Sequence, residues 1–100
     1  MIEQPSKKKM LLFAGSSNPE LAEKVAAELG TSLALVDKKQ FASGEIYIRL
    51  EESARGADCF VMQSHSNEIN FTIMEQLLLV DALKRASAKR ITAVLPFYPY

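Results

Sequence analysis

One hundred residues, 48% of them hydrophobic, suffice for one compact domain with its own core and are too few for a second. Twelve basic and twelve acidic side chains cancel, which excludes a net field drawing the chain to nucleic acid or to an anionic membrane; any phosphate ligand must be held by local groups. The single cysteine, Cys59, excludes an intramolecular disulfide, and no apolar stretch has the length of a secretory signal or a membrane span, so a soluble cytoplasmic protein is expected.

Residues 1–8 read as a polar lead-in, with Lys7-Lys8-Lys9 as its solvated end rather than a nucleic-acid patch. The apolar run Met10 to Ala14 then predicts a strand buried on both faces, ended by Gly15-Ser16-Ser17. Asn18-Pro19-Glu20 marks a helix start: Asn18 caps, Pro19 lacks an N–H that would go unused, and Glu20 answers the positive end of the helix dipole. Leu21, Val25 and Leu29 follow at a spacing of four, and Gly30 stops the helix. Leu33 to Val36 predicts a second strand, with Asp37-Lys38-Lys39 leading into a loop that contains Gly44. Ile46, Ile48 and Leu50 alternate with Tyr47, Arg49 and Glu51, the pattern of a strand with one wet face, placed in an antiparallel hairpin at or outside the sheet's edge.

A polar connection, Ser53 to Asp58, leads into a buried strand from Cys59 to Gln63 and a second loop, Ser64 to Asn67. From about Glu68 to Ala86 runs a long helix. Leu77, Leu78, Leu79 and Val80 point in nearly every direction at 100° per residue, so cover from further chain or another subunit is expected. Ile91 to Leu95 predicts the last strand. The closing Pro96-Phe97-Tyr98-Pro99-Tyr100, aromatic and without a polar tail, reads as a chain cut inside a larger protein.

Four segments offer chemistry. Gly15-Ser16-Ser17-Asn18 joins a strand to a helix N-terminus, where free N–H groups favour an anion, but it lacks the Gly-Lys-Thr ending of a P-loop and the three glycines of a dinucleotide site; a plain capped turn is the stronger reading. Phe41-Ala42-Ser43-Gly44-Glu45 supplies an aromatic face, a hydroxyl and a carboxylate, although turns of such composition are commonplace. Ser53-Ala54-Arg55-Gly56 and Ala86-Ser87-Ala88-Lys89-Arg90 combine small residues with cations, and the fork of a guanidinium suits phosphate oxygens. The second of them reads first as the basic C-terminal end of a helix, which answers the dipole. His65 is the lone histidine; with no second His at ligand spacing and no Gly-x-Ser-x-Gly motif, a structural role outweighs a catalytic one.

Taken together, Leu12 to Ser17, Phe41 to Glu45, Glu52 to Asp58, Met74 to Leu77, Asp81 to Pro96 and Phe97 to Tyr100 resemble, in order and spacing, the ribose-phosphate pyrophosphokinases. The resemblance runs from about Lys9 to Tyr100 and is most specific from Asp81 onward. It implies a phosphoribosyltransferase-like α/β domain: an open, mostly parallel sheet flanked by helices, with an antiparallel hairpin. It further implies transfer of the diphosphoryl group of MgATP to ribose 5-phosphate, giving phosphoribosyl pyrophosphate and AMP, in a cytoplasmic homo-oligomer of hexameric form.

The family's adenine-binding loop, which reaches into a neighbouring subunit, matches Phe41, Ser43 and Glu45: Phe41 stacks on the base while Ser43 and Glu45 bond its edge. Ser43 departs from the Asp or Asn usual there and reaches less far. The family's effector site for phosphate or ADP matches Ser53, Arg55, Ala86 and Ser87. Asn70-Phe71-Thr72-Ile73-Met74-Glu75 departs from the family pattern and receives no role. The resemblance places the catalytic residues and the Mg2+ ligands beyond Tyr100, so no catalytic or metal residue is assigned to this chain and it is expected to be inactive alone. Two rivals stay open: a non-catalytic regulatory paralogue, and another phosphate-binding α/β domain with its site at the Gly15 to Asn18 turn.

Overall fold

A computed structural model describes residues 9–97 and 99–100; the lead-in of residues 1–8, including Lys7 and Lys8, and Tyr98 lie outside the described residues. The elements in chain order are β1 (Met10–Ala14), α1 (Pro19–Glu28), β2 (Val36–Gln40), β3 (Ile46–Leu50), β4 (Asp58–Met62), α2 (Ile69–Arg85) and β5 (Arg90–Val94). Strands β1, β4 and β5 form a parallel sheet in the order β1-β4-β5, with Met10 beside Asp58 and Asp58 beside Arg90. Strands β2 and β3 form a separate antiparallel hairpin, with Val36 opposite Leu50 and Gln40 opposite Ile46.

Successive side chains of a strand point to opposite faces, and here each face carries its own core. Phe13, Cys59 and Val61 pack with Leu79 and Leu83 of α2, joined by Val36, Ile48 and Leu50 of the hairpin. On the other face Leu12 and Met62 meet Ala22 and Ala26 of α1. The two helices thus cover opposite faces of the sheet, an α/β arrangement of three layers. Cys59 lies inside the first core, where burial, and then the neighbouring Asp58, push its thiol pKa up and keep it protonated.

The signals that punctuate α1 act as expected. The Asn18 side chain accepts from the Leu21 N–H at 3.2 Å, Pro19 takes the first turn, and Gly30, at φ 70°, closes the helix with Thr31 N–H donating to Ala26 O. Helix α2 closes in the same way without a glycine: Ser87 adopts φ 65°, its N–H donates to Lys84 O, and Ala88 N–H donates to Leu83 O.

Between Gly30 and Ile46 the structure departs from the sequence reading. Leu33 makes only an isolated bridge to Leu12, on the side of β1 away from β4, and the strand expected at Leu33 to Val36 begins at Val36 and continues through Asp37, Lys38 and Lys39. Pairing with β3 drives this: opposed residues share a face, so Val36, Lys38 and Gln40 stand with Leu50, Ile48 and Ile46, while Asp37 and Lys39 share the outer face with Arg49 and Tyr47.

A serine in the left-handed region costs about 1 kcal/mol that glycine avoids. Ser87→Gly is therefore expected to raise stability by up to about 0.5 kcal/mol, once the entropy of the added glycine, roughly 0.5–1 kcal/mol, is subtracted. The urea midpoint of the chain measures it, and a lower midpoint contradicts the strain assigned to Ser87.

Candidate functional site

The chemistry-bearing residues fall at three places, set by the two ends of the parallel sheet and by the hairpin. At the hairpin tip, Phe41 N–H donates to Glu45 O at 2.8 Å and Gly44 N–H to Phe41 O at 2.9 Å, with Gly44 at φ 98°. This is a three-residue turn closed by a glycine in the left-handed region, which keeps Phe41 and Glu45 side by side and sets Ser43 at the apex. Every side chain from Phe41 to Glu45 is exposed, and Phe41 is 49% so. Its ring lies 6.2 Å from that of Tyr47, which carries Lys39 Nζ 5.7 Å from its centroid. The tip thus presents an aromatic ring, a hydroxyl and a carboxylate to its surroundings.

At the N-terminal end of the sheet two turns meet. Ala57 N–H donates to Ala54 O, Gly56 adopts φ 72°, and Gly56 N–H donates to Ser87 O at 2.9 Å. Lys89 N–H donates to Ala57 O at 2.8 Å, and Lys9 Nζ donates to Ser53 O at 2.9 Å. Buried Ala54 and Ala57 anchor the first turn in the core beside Leu83, leaving Ser53, Arg55 and Ser87 exposed. The four residues Ser53, Arg55, Ala86 and Ser87, 31 or more positions apart in sequence between the two turns, are brought to one place. Among the described residues Arg55 makes no ion pair, so its guanidinium is available to an anion.

At the C-terminal end the Gly15 to Asn18 turn is already occupied by the chain's own groups. Gly15 N–H donates to Met62 O, Ser16 N–H to Glu75 Oε1 at 3.0 Å, and Ser17 N–H to Gln63 Oε1 at 3.2 Å. Ser16 Oγ also bonds the Glu75 carboxylate at 2.9 Å, and Gln63 Nε2 donates to it at 2.6 Å. The anion on this turn is Glu75, a residue 2% exposed. Sequence reasoning missed this clasp; its signal is a pair of polar residues, Glu75 and Gln76, inside the apolar stretch of a helix.

His65 is part of the same buried network. Gln76 Nε2 donates to Val61 O at 2.9 Å, so its Oε1 accepts and the His65 Nε2 at 2.8 Å carries the proton; His65 Nδ1 meets Thr72 Oγ1 at 2.9 Å. At 1% exposed with both nitrogens engaged, His65 is a structural histidine. Two clefts border the clasp. One, of about 180 Å3, is lined by Ser16, Ser17, Asn67, Glu68, Phe71 and Thr72; another, of about 220 Å3, lies between Ser16, Phe71 and Glu75 on one wall and Lys38, Gln40 and Ile46 of the hairpin on the other. Among the described residues there is no group of three or more His, Cys, Asp or Glu able to hold a metal ion, and no helix is long and apolar enough to cross a membrane.

Known proteins share this fold. Residues 10–100 match the N-terminal domain of ribose phosphate pyrophosphokinase. Ribose-phosphate pyrophosphokinase of Corynebacterium glutamicum is 59% identical over 95 residues, covering 95% of this chain and 29% of its own length. The Streptomyces coelicolor protein of the same name is 54% identical over 99 residues, covering 99% of this chain and 31% of its own. A crystal structure of phosphoribosylpyrophosphate synthetase from Mycobacterium smegmatis superposes with a TM-score of 0.91 at 56% identity, covering 93% of this chain and 31% of that one. The α/β fold with its two outlying strands is thus the N-terminal architecture of an enzyme family. The chain belongs to the family of ribose phosphate pyrophosphokinase N-terminal domains, and it spans about 30% of the length of these relatives.

A Cβ on Gly15 would overlap the Gln63 amide, which is itself fixed by Ser17, Thr72 and Glu75. Gly15→Ala is expected to cost about 2 kcal/mol, and less in a Gln63→Ala background where the obstructing amide is gone. A double-mutant cycle by chemical denaturation measures the coupling; strictly additive effects contradict the contact.

Proposed function

We propose that this chain is the N-terminal part of a ribose-phosphate diphosphokinase, which transfers the diphosphoryl group of MgATP to the 1-hydroxyl of ribose 5-phosphate and yields phosphoribosyl pyrophosphate and AMP. It acts in the cytoplasm as a homo-oligomer, a hexamer by family resemblance. The observation that carries the reading is the hairpin tip. Phe41, Ser43 and Glu45 are held in one turn, and all three are exposed. A ring with an open face suits a purine base, and a hydroxyl with a carboxylate beside it can accept from and donate to the base's polar edge. Such a tip serves a nucleotide bound in a neighbouring subunit.

The remaining chemistry is in-line transfer between phosphates, which depends on positioning and on neutralising charge rather than on covalent help from the protein. Mg2+ enters with ATP. Among the described residues no group of three or more His, Cys, Asp or Glu gathers that could hold a metal ion. Ser53, Arg55, Ala86 and Ser87 form part of an effector pocket for inorganic phosphate or the β-phosphate of ADP, with the guanidinium of Arg55 as its cation and the left-handed turns at Gly56 and Ser87 permitting close approach.

Two measurements test this reading. The 100-residue chain given MgATP and ribose 5-phosphate is expected to release no AMP above background, and turnover near the 1–100 s⁻¹, roughly, of ordinary kinases overturns the claim that its chemistry resides elsewhere. In a full-length enzyme carrying this sequence, Arg55→Ala is expected to weaken phosphate activation and ADP inhibition together, each by about tenfold in half-effective concentration. Unchanged responses to both ligands remove the effector assignment.

A further inference from the structure

The hairpin tip contacts little of its own domain, so something must fix the direction in which it projects. On the side of β1 away from β4 no other strand of the sheet lies among the described residues. There Ala34 N–H donates to Leu12 O at 2.8 Å, after which the chain leaves to form the hairpin. The next carbonyl on that edge, two residues on, is Ala14 O, and no backbone N–H reaches it among the described residues. The side chain of Lys38 takes that place: its Nζ donates to Ala14 O at 3.2 Å. Beyond Lys38 the hairpin and the body are separated by the cleft of about 220 Å3, lined by Gln40 and Ile46 on one side and Ser16 and Phe71 on the other. From Lys39 to Glu45 every residue is exposed. Lys38 therefore makes the outermost polar tether between the hairpin and the sheet among the described residues.

We infer that Lys38 is a positioning residue for nucleotide binding: by substituting for a strand N–H on this edge of β1, it fixes the angle at which Phe41, Ser43 and Glu45 reach the neighbouring subunit. Phe41 lies three residue steps beyond Lys38, a lever of roughly 10 Å, so a swing of about 10° at Lys38 moves the ring by roughly 2 Å. A displacement of that size is enough to spoil stacking on a base. The buried Glu75 carboxylate lines the same cleft and favours an ammonium there.

The inference rests on the reading of the tip as an adenine loop, and the experiment separates the two. In a full-length enzyme carrying this sequence, Lys38→Met is expected to raise KM for ATP about fivefold or more, with kcat and KM for ribose 5-phosphate changed less than about twofold, and Lys38→Arg to restore KM. In the 100-residue chain the same Lys38→Met change is expected to speed amide exchange at 39–47 by about threefold or more while leaving β1 and β4 protected. Unchanged KM for ATP in Lys38→Met, alongside a raised KM in Phe41→Ala, overturns the role of Lys38 and keeps the adenine loop; an unchanged KM in Phe41→Ala overturns both. Loss of kcat and of both substrate affinities together in Lys38→Met, or unchanged exchange at 39–47, makes Lys38 merely structural and ends the proposal.

Discussion

A buried carboxylate organises this domain. Glu75, on α2 and 2% exposed, accepts from the backbone and hydroxyl of Ser16 and from the amide of Gln63. Taking such a group out of water costs several kcal/mol, and among the described residues it has no ion-pair partner. The cost is offset only because hydrogen bonds to a charged acceptor are worth about 1.5–3 kcal/mol each and several converge here. Whatever removes one donor leaves the charge under-satisfied, so the loop after β1, the loop after β4 and the helix that covers both become one unit. The tight approach of Gly15 to Gln63 follows from the same convergence.

That unit explains where the candidate sites are not. Open α/β sheets bind ligands outside the carboxyl ends of their strands, and the turn at Gly15 to Asn18 has the position and the composition for an anion. The N–H groups of Gly15, Ser16 and Ser17 are nevertheless committed to Met62, Glu75 and Gln63, and a phosphate on the Ser16 N–H would have to displace a carboxylate of the protein itself. The residues free to meet a ligand lie instead at the hairpin tip and where the turns at Gly56 and Ser87 face each other. Both are exposed surfaces, whereas the turn at the carboxyl end of the sheet is filled by the domain's own side chains.

The sequence made some of this legible and hid the rest for identifiable reasons. Continuous apolar runs placed β1 and β4, and the capping chemistry of Asn18, Pro19 and Gly30 bounded α1 closely, because these signals act over a few neighbouring residues. The hairpin was legible at β3, where Ile46, Ile48 and Leu50 alternate, but β2 was misplaced because Asp37-Lys38-Lys39 looks like a solvated loop. A lysine whose long stem crosses to the edge of β1 satisfies a strand position that local patterning assigns to solvent. The clasp was hidden for a related reason. Glu75, Gln76 and Gln63 are polar residues in the core, and only a tertiary partner distinguishes them from surface residues. The turns at Gly56 and Ser87 became neighbours through the Gly56 to Ser87 bond, a contact between segments far apart in the chain.

Helix α2 shows what remains uncovered. Its Leu79 and Leu83 are fully buried against the sheet, whereas Met74 is 50% and Leu77 57% exposed. Ile73, Leu77 and Val80 form one wall of an apolar groove of about 350 Å3, and Ala93 and Leu95, in and just beyond β5, form another, with Tyr100 at its end held to Asn70 by a 2.8 Å bond. Strand β5 is also the edge of the parallel sheet, so beside this groove runs a row of backbone groups without a strand partner among the described residues. Apolar area left wet forfeits about 25 cal/mol for each Å2 that cover would remove from water. A helix apolar on every side is therefore only half used by the domain that contains it. The face on the sheet builds the body that the Glu75 clasp ties together, and the face left open, like the hairpin tip, is apolar area that this domain itself leaves in water.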